Sequence, residues 1–369
     1  MPHHHISVDH GHSICDKPGC SHNRWHPLIE PALRIAAGDT VEIETRDSLD
    51  GQIRPGMKAG EMVDVVLDRA HVLTGPVFVE GAEPGDLLVV DILEIATPDY
   101  GFTALFPGLG LLQDRYPGPF LLHWELGPDH ATCDDLPGIR IPAAPFMGVM
   151  GLAPSLARLR AVNRREADIA GRALVLPPET NFAVPPDPAI AGEAWRTVAA
   201  HETGGNMDVR QLVAGSTLYL PVEVPGALFS VGDAHFAQGD GESCGTAIET
   251  SATITARFGL IKGEAARRRQ QSPSYRCAAS ETPGIGAAGW FATTGLPIDP
   301  AGAVGPIDAT LAARNAAAAM VDALVIERGL TPEQAYCLFS VAGDLRISSI
   351  VNTPHALVSA LLPQSIFTP

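Results

Sequence analysis

The chain has 369 residues, 46% hydrophobic and 18% charged, the composition of a compact protein with a sizeable core rather than a disordered one. Lys+Arg 25 against Asp+Glu 42 gives a formal charge of −17, and Lys17, Lys58 and Lys262 are its three lysines. A field of that sign repels phosphate backbones and argues against a nucleic-acid partner. No apolar run reaches the roughly 18 residues of a membrane span, and the start "MPHHHISVDHGH" lacks a basic-then-apolar leader pattern. The six cysteines are scattered, without the density of a disulfide framework. The expectation is a cytoplasmic protein with reduced thiols and no membrane partner.

In chain order, His12, Cys15, Cys20 and His22 are spaced somewhat like a small zinc clip, but without its short Cys–Cys separation. Trp25 and His26 of "HNRWHP" offer the alternative of a simple anchor. "TVEIET" (Thr40–Thr45) alternates like a half-buried strand. It runs into Asp47 and Asp50, at a strand end where a site can be built or where Asp50-Gly51 is only a hairpin turn. His71 precedes an apolar run, either as a site residue or as a structural histidine. "DLLVVDILEI" (Asp86–Ile95) reads as a further strand. The stretch from about Pro154 to Ala200 is less regular, with a proline-rich connection at Leu176–Pro188.

Gly204 and Gly205 would let backbone amides approach a ligand. Asn206 and Asp208 follow them, as ligand contacts or as a tight Asx turn. "STLYLPVEV" (Ser216–Val224) and "TITARFGL" (Thr253–Leu260) again have period two. Near the C-terminus the pattern changes. Asp308 is a plausible N-cap, alanines fill a helix interior and Gly329 suits the left-handed C′ position. Thr331, Pro332 and Gln334 open a second helix with a capping box, and Asp344–Val351 closes with a strand. The expected fold class is α+β, mainly β: a β-sandwich-like body over 1–270 carrying the active site, with a C-terminal α+β region over 271–369 packed on it.

"GDAHFAQGDGESCGTAIE" (Gly232–Glu249) gathers acids, a histidine and glycines. Asp233 and His235 are two apart, so on an extended segment they face the same way. A carboxylate and an imidazole suit zinc and similar divalent ions. Asp240 and Glu242 follow on a turn-prone backbone, where one carboxylate can serve as general base. The bland alternative is a Gly/Asp-rich surface hairpin. "GESCG" matches a nucleophile-elbow pattern at Ser243, but that motif needs a helix after it, and "TAIETSATITARF" alternates like a strand. Cys244 as nucleophile is no better placed. With so few lysines, amidase mechanisms that need a positioned lysine have little support.

The segments "GPVFVEGAEPGDLLVVDI", "GGNMD", "GSTLYLPV", "GALFSVGDAHFAQGDGESCGTAIE" and "EQAYCLFSVAGDLRISSIV" together resemble the acetamidase/formamidase family of amide hydrolases. "HNRWHP" and "HVLTGPV" are similar to its formamidase side, and some members act on γ-lactams. The resemblance implies a β-rich fold, a homo-oligomer, and amide C–N hydrolysis at a divalent metal without a Ser or Cys nucleophile. It carries over Asp47, Asn206, Asp208, Asp233, His235, Asp240 and Glu242.

Chemistry then suggests the roles. Asp47, Asp233 and His235 would hold the metal, zinc first, and Glu242 would be the base, oriented by Asp240. Asn206, Asp208 and His71 would bind a small amide. The expected activity is cleavage of a short aliphatic or cyclic amide (formamide, acetamide or γ-lactam type) by a metal-activated water, giving a carboxylate and ammonia or an amine. "GFTALFPGLGLL" (Gly101–Leu112) could wall an apolar site. The alternative is a non-catalytic β-sandwich binding protein for a small polar ligand.

Overall fold

The alternation of Thr40–Thr45 becomes a strand with Val41, Ile43 and Thr45 buried and the residues between them half-buried. The computed structural model describes residues 2–171, 174–277, 289–352 and 354–368. Thr40–Thr45 lies in a six-stranded sheet whose order is His3–Ile6, Thr40–Thr45, Ala252–Ile261, Leu87–Ala96, Thr217–Pro221 and Ser274–Arg276. The last of these, beyond the expected boundary at 270, is an edge strand of this sheet.

A second sheet of twelve strands carries Glu249–Thr250, Phe229–His235, Phe146–Leu152 and Gly204–Asn206 side by side. One buried cluster joins the two sheets. Val41, Ile43, Val90, Ile254 and Phe258 come from the first, and Val77, Met147, Met150, Phe229 and Val231 from the second. Phe229 meets Phe258 edge-on, with ring centroids 5.1 Å apart. Burying each such side chain contributes about 1.5–3 kcal/mol, so this shared interior holds the sheets in register.

Phe146–Leu152 has every residue buried. Met147 and Met150 enter the cluster between the sheets, while Val149 packs on the other face against Trp25, Leu159 and Trp195. A strand covered on both faces shows no alternation, which is why its sequence gives no period-two signal. The irregular middle contains the helix Leu156–Ala167, capped by Ser155 and packed through Leu159 and Val162, and the short helix Pro188–Ala191.

The C-terminal helices form where their caps predict. Asp308 accepts from Leu311 N, Gly329 adopts φ +67°, and Thr331 and Gln334 form the reciprocal capping box. The helices Ala309–Arg328 and Pro332–Ala342 accompany a three-stranded sheet of Trp290–Gly295, Leu357–Pro363 and Asp344–Ser349. Gly295 lets the helix Ala309–Arg328 lie directly on this sheet: a Cβ there would lie 2.1 Å from Ala312 O. Ala309–Arg328 is long and apolar enough to cross a membrane by length and composition, with a mean hydropathy of 1.4, which corrects the expectation that no run reaches that length. Its Ala312, Ala316, Met320, Val321 and Leu324 are buried in a core shared with Leu105, Trp124 and Ile248 of the body.

That shared core has a consequence for the acidic loop. Gly239 N donates to Ser340 O at 2.8 Å, Cys244 N to Ser340 Oγ at 3.0 Å, and Leu345 N to Asp240 O at 2.9 Å. The Tyr336 hydroxyl donates to Ser243 O. A Cβ at Gly239 would lie 1.8 Å from Gly343 O. The C-terminal region thus clamps Gly239–Gly245, the loop that carries Glu242.

Candidate active site

Three neighbouring strands converge on one point. Gly148 lies midway along Phe146–Leu152, between the pairs Met147↔Ala234 and Val149↔Gly232, so it sits beside Asp233. On its other side Val149 pairs with Asn206, and the Met207 and Asp208 amides both donate to Gly148 O, at 3.0 and 3.2 Å. His235 pairs with Phe146 across one strand and with Glu249 across another. Phe146 meets the His235 ring edge-on at 5.0 Å. Asp208, Asp233 and Glu242 all have positive φ, +49°, +57° and +39°. A non-glycine residue holds that conformation only where its surroundings impose it.

The result is two overlapping groups. Asp208, Asp233 and His235 bring potential ligand atoms within 4.8 Å of one another, as do His235, Glu242 and Glu249. His235 Nε2 lies 3.4 Å from both Asp233 Oδ1 and Glu249 Oε1. Glu249 is held independently: Ser48 Oγ donates to Oε2 and Ala247 N to Oε1, each at 2.9 Å.

Four carboxylates in so small a volume perturb one another. Burial raises the Glu242 carboxyl well above its ordinary range, and the charges of Asp208 and Glu249 add to this against the opposing pull of His235. Burial likewise raises Asp208, with His235 opposing and Asp233 adding. Burial works in the same direction on Asp233, but the charges of His71 and His235 outweigh it and hold that carboxyl low. Burial disfavours a charged His235 ring, yet Glu249 and Asp233 outweigh it and raise the imidazole.

The centre of the cluster fits a divalent cation. Asp208 Oδ1 and both His235 ring nitrogens are buried without a hydrogen-bond partner. A Cβ on Gly148 would lie 2.6 Å from Asp233 Oδ2, 2.7 Å from Asp208 Oδ1 and 2.9 Å from His235 Cε1. The missing side chain therefore leaves a cradle that three potential ligands face. Carboxylates around one imidazole form a donor set suited to zinc and similar ions, and their crowded negative charge is what a dication relieves.

Of the residues singled out from sequence, Asp208, Asp233, His235 and Glu242 meet here. Asn206 and His71 lie at the margin. Asn206 Nδ2 donates to Val198 O at 3.0 Å, leaving a buried Oδ1 with no partner. His71 Nδ1 donates to Thr197 O at 3.3 Å, which orients its ring.

Asp47 and Asp240 are not brought into either group. Asp47 Oδ1 accepts from Leu49 N at 2.9 Å and Oδ2 from Gly51 N at 2.9 Å, so it holds the turn after its strand. Burial pushes its carboxyl up to about 6, with Asp50 and Glu249 adding and the two backbone amides opposing. Asp240 Oδ1 accepts from Gln211 Nε2 at 2.9 Å, and its amide donates to Asp344 Oδ1 at 3.1 Å.

Two participants escape sequence reasoning. Glu249 closes the acidic run but is aimed by its pairing with His235, and Gly148 has no signal beyond being a glycine in an apolar run. Ser243 Oγ is buried with no partner, so no base adjoins it. No helix follows its motif; the next element is the strand Glu249–Thr250. Cys244 Sγ faces Thr246 O and Oγ1 at 3.5 Å. Among the described residues the N-terminal clip does not form: His22 bonds to Arg24 O and Ser230 Oγ, and Cys20 to Ser7 O.

The chain matches the profile of the Acetamidase/Formamidase family over residues 7–369. It is 34% identical to a formamidase of Methylophilus methylotrophus over 95% of this chain and 90% of that one. It is 35% identical to an acetamidase of Mycolicibacterium smegmatis over 93% and 90%. Among solved structures, a gamma lactamase from Delftia acidovorans superposes with a TM-score of 0.93 at 32% identity, covering 99% of this chain and 93% of that one. An acetamidase from Bacillus halodurans gives 0.56 at 27% identity, covering 93% and 94%. Together with the fold and the cluster, these likenesses define a hydrolase acting on carbon–nitrogen bonds other than peptide bonds. Within that class the chain belongs to the acetamidase/formamidase family, whose reaction is amide hydrolysis.

Proposed function

We propose that the protein hydrolyses a short aliphatic or cyclic amide with a metal-activated water, releasing a carboxylate and ammonia or an amine. The observation that carries this reading is the Gly148 cradle, with Asp208, Asp233 and His235 facing its centre and Glu242 alongside. Asp208, Asp233 and His235 would hold the ion, zinc first. When bound, such an ion supplies polarisation of the amide carbonyl and a water of lowered pKa.

The chain's own groups supply the rest. Glu242 takes the proton of the attacking water and delivers it to the leaving nitrogen. That delivery matters because an amide nitrogen leaves poorly without it. Glu249, fixed by Ser48 and Ala247, keeps His235 oriented. The unpartnered Asn206 Oδ1 can accept a substrate N–H, and the His71 ring, held through Nδ1 to Thr197 O, offers a second polar contact.

Cyclic amides enter this reading because the gamma lactamase superposes far more closely than the acetamidase, TM-score 0.93 against 0.56. Self-association as a homo-oligomer belongs to the same proposal, and sedimentation tests it. Product release from formamide, acetamide, propionamide and 2-pyrrolidinone, with elemental analysis before and after chelation, tests the reaction. Full activity of metal-free protein would refute the metal role. No turnover of any amide by metal-loaded protein would favour the non-catalytic binder.

A further inference from the structure

A cavity of about 390 Å³ opens beside Glu242, between the Gly239–Gly245 loop and the C-terminal region. Beyond Gly241, Glu242 and Ser243, its wall is mainly apolar, with Leu111, Ala313, Leu345, Ile347 and Val358 interrupted by the hydroxyl-bearing Thr310. Gly241, at φ +105°, lets the loop lie against Leu345, whose Cδ1 would be 3.1 Å from a Cβ there. Ile347 is 62% exposed, a large apolar side chain held in solvent. Glu242 belongs to both places, since it lines this cavity while its carboxylate joins His235 and Glu249. The volume falls in the size class of small-molecule sites. It is roughly thirteen times the share of one water in the liquid, so a one-carbon amide would leave most of it empty.

We propose that this cavity receives the acyl part of the substrate, and that the C-terminal region sets specificity through Ala313, Leu345 and Ile347, facing Leu111 of the body. The amide end meets Glu242, and the hydrocarbon end lies against the apolar wall. The substrate class is then an uncharged amide or lactam with a branched or cyclic acyl portion larger than a single carbon, since pockets of this volume bury most of a small ligand against mainly apolar side chains. The proposal rests on the amide-hydrolase reading above and narrows it. An anionic acyl chain is disfavoured, because the cluster beside the cavity is already crowded with carboxylates.

The test compares kcat/KM for formamide, acetamide, butyramide, isobutyramide, cyclohexanecarboxamide and 2-pyrrolidinone, using the metal-loaded full chain and its Ala313→Phe and Ile347→Trp variants. The wild type should gain about threefold to fourfold per buried methylene along the series. In each variant the ratio of kcat/KM for isobutyramide to that for formamide should fall at least about tenfold, the discrimination a methylene-sized change in a pocket supplies. Ile347→Trp lies at an exposed position, so it retains a folded readout if Ala313→Phe disturbs the helix. Unchanged ratios, or a wild type that prefers formamide, would overturn the cavity assignment and leave amide hydrolysis standing. Failure to hydrolyse any amide would overturn both.

Discussion

Gly148→Ala adds one methyl group at the centre of the cluster. Gly148 is not in the left-handed region, so alanine fits its backbone, and the perturbation is one of contact alone. The new Cβ would lie 2.6 Å from Asp233 Oδ2, 2.7 Å from Asp208 Oδ1 and 2.9 Å from His235 Cε1. Comfortable contacts of carbon lie near 3.5–4.0 Å, so each group must withdraw by roughly 0.6–1 Å. A misplacement of about 1 Å in a reacting constellation costs on the order of a hundredfold in rate. Overpacking a buried strand costs about 1–3 kcal/mol of stability. The variant should therefore fold, melt a few degrees lower, retain less metal after dialysis, and lose about a hundredfold in kcat/KM. Gly60→Ala is the control, since a Cβ there meets nothing within 4 Å. Ammonia release, thermal unfolding and elemental analysis on one preparation read all three quantities. Wild-type metal content with activity within threefold of wild type would refute the cradle.

Glu242→Gln removes the charge and keeps the shape, so kcat should fall by about 10²–10⁴, the usual share of general acid–base catalysis, with metal content unchanged. Lost metal that added zinc restores, together with part of the rate, would make Glu242 a ligand instead. For Asp47 the shift from 3.8 to about 6 means the unfolded chain ionises first as pH rises, so folded stability drops between pH 4 and 6 by up to about 3 kcal/mol at 1.36 kcal/mol per unit, less with solvent screening. Asp47→Asn keeps an oxygen for the Leu49 and Gly51 amides and should raise Tm at pH 7.5 by up to about 4 °C while leaving pH 4 unchanged; a lower Tm at pH 7.5 together with lost metal would make Asp47 a ligand after all.

What was legible in the sequence is what is settled locally. Asp308, Gly329, Thr331 and Gln334 act on backbone groups within one helical turn, and each is found in the role its spacing predicts. The alternation of Thr40–Thr45 needs only one buried face. Phe146–Leu152 and Leu156–Ala167 were not legible: the first is buried on both faces, and the second buries only Leu159 and Val162.

The site divides in the same way. Asp208, Asp233, His235 and Glu242 stand out because acids and histidine crowd a glycine-rich run. Asp47 and Asp240 share that composition, yet their carboxylates are claimed by nearby amides, Leu49 N and Gly51 N for one and Gln211 Nε2 for the other. Composition locates a cluster, but turn geometry decides which acids enter it. Glu249 and Gly148 enter through strand register, a long-range property that slips by a whole face with one residue of shift. Register places Glu249 opposite His235 and Gly148 beside Asp233. Without the gap at Gly148 the same acids would press against a side chain and leave no centre to bind at.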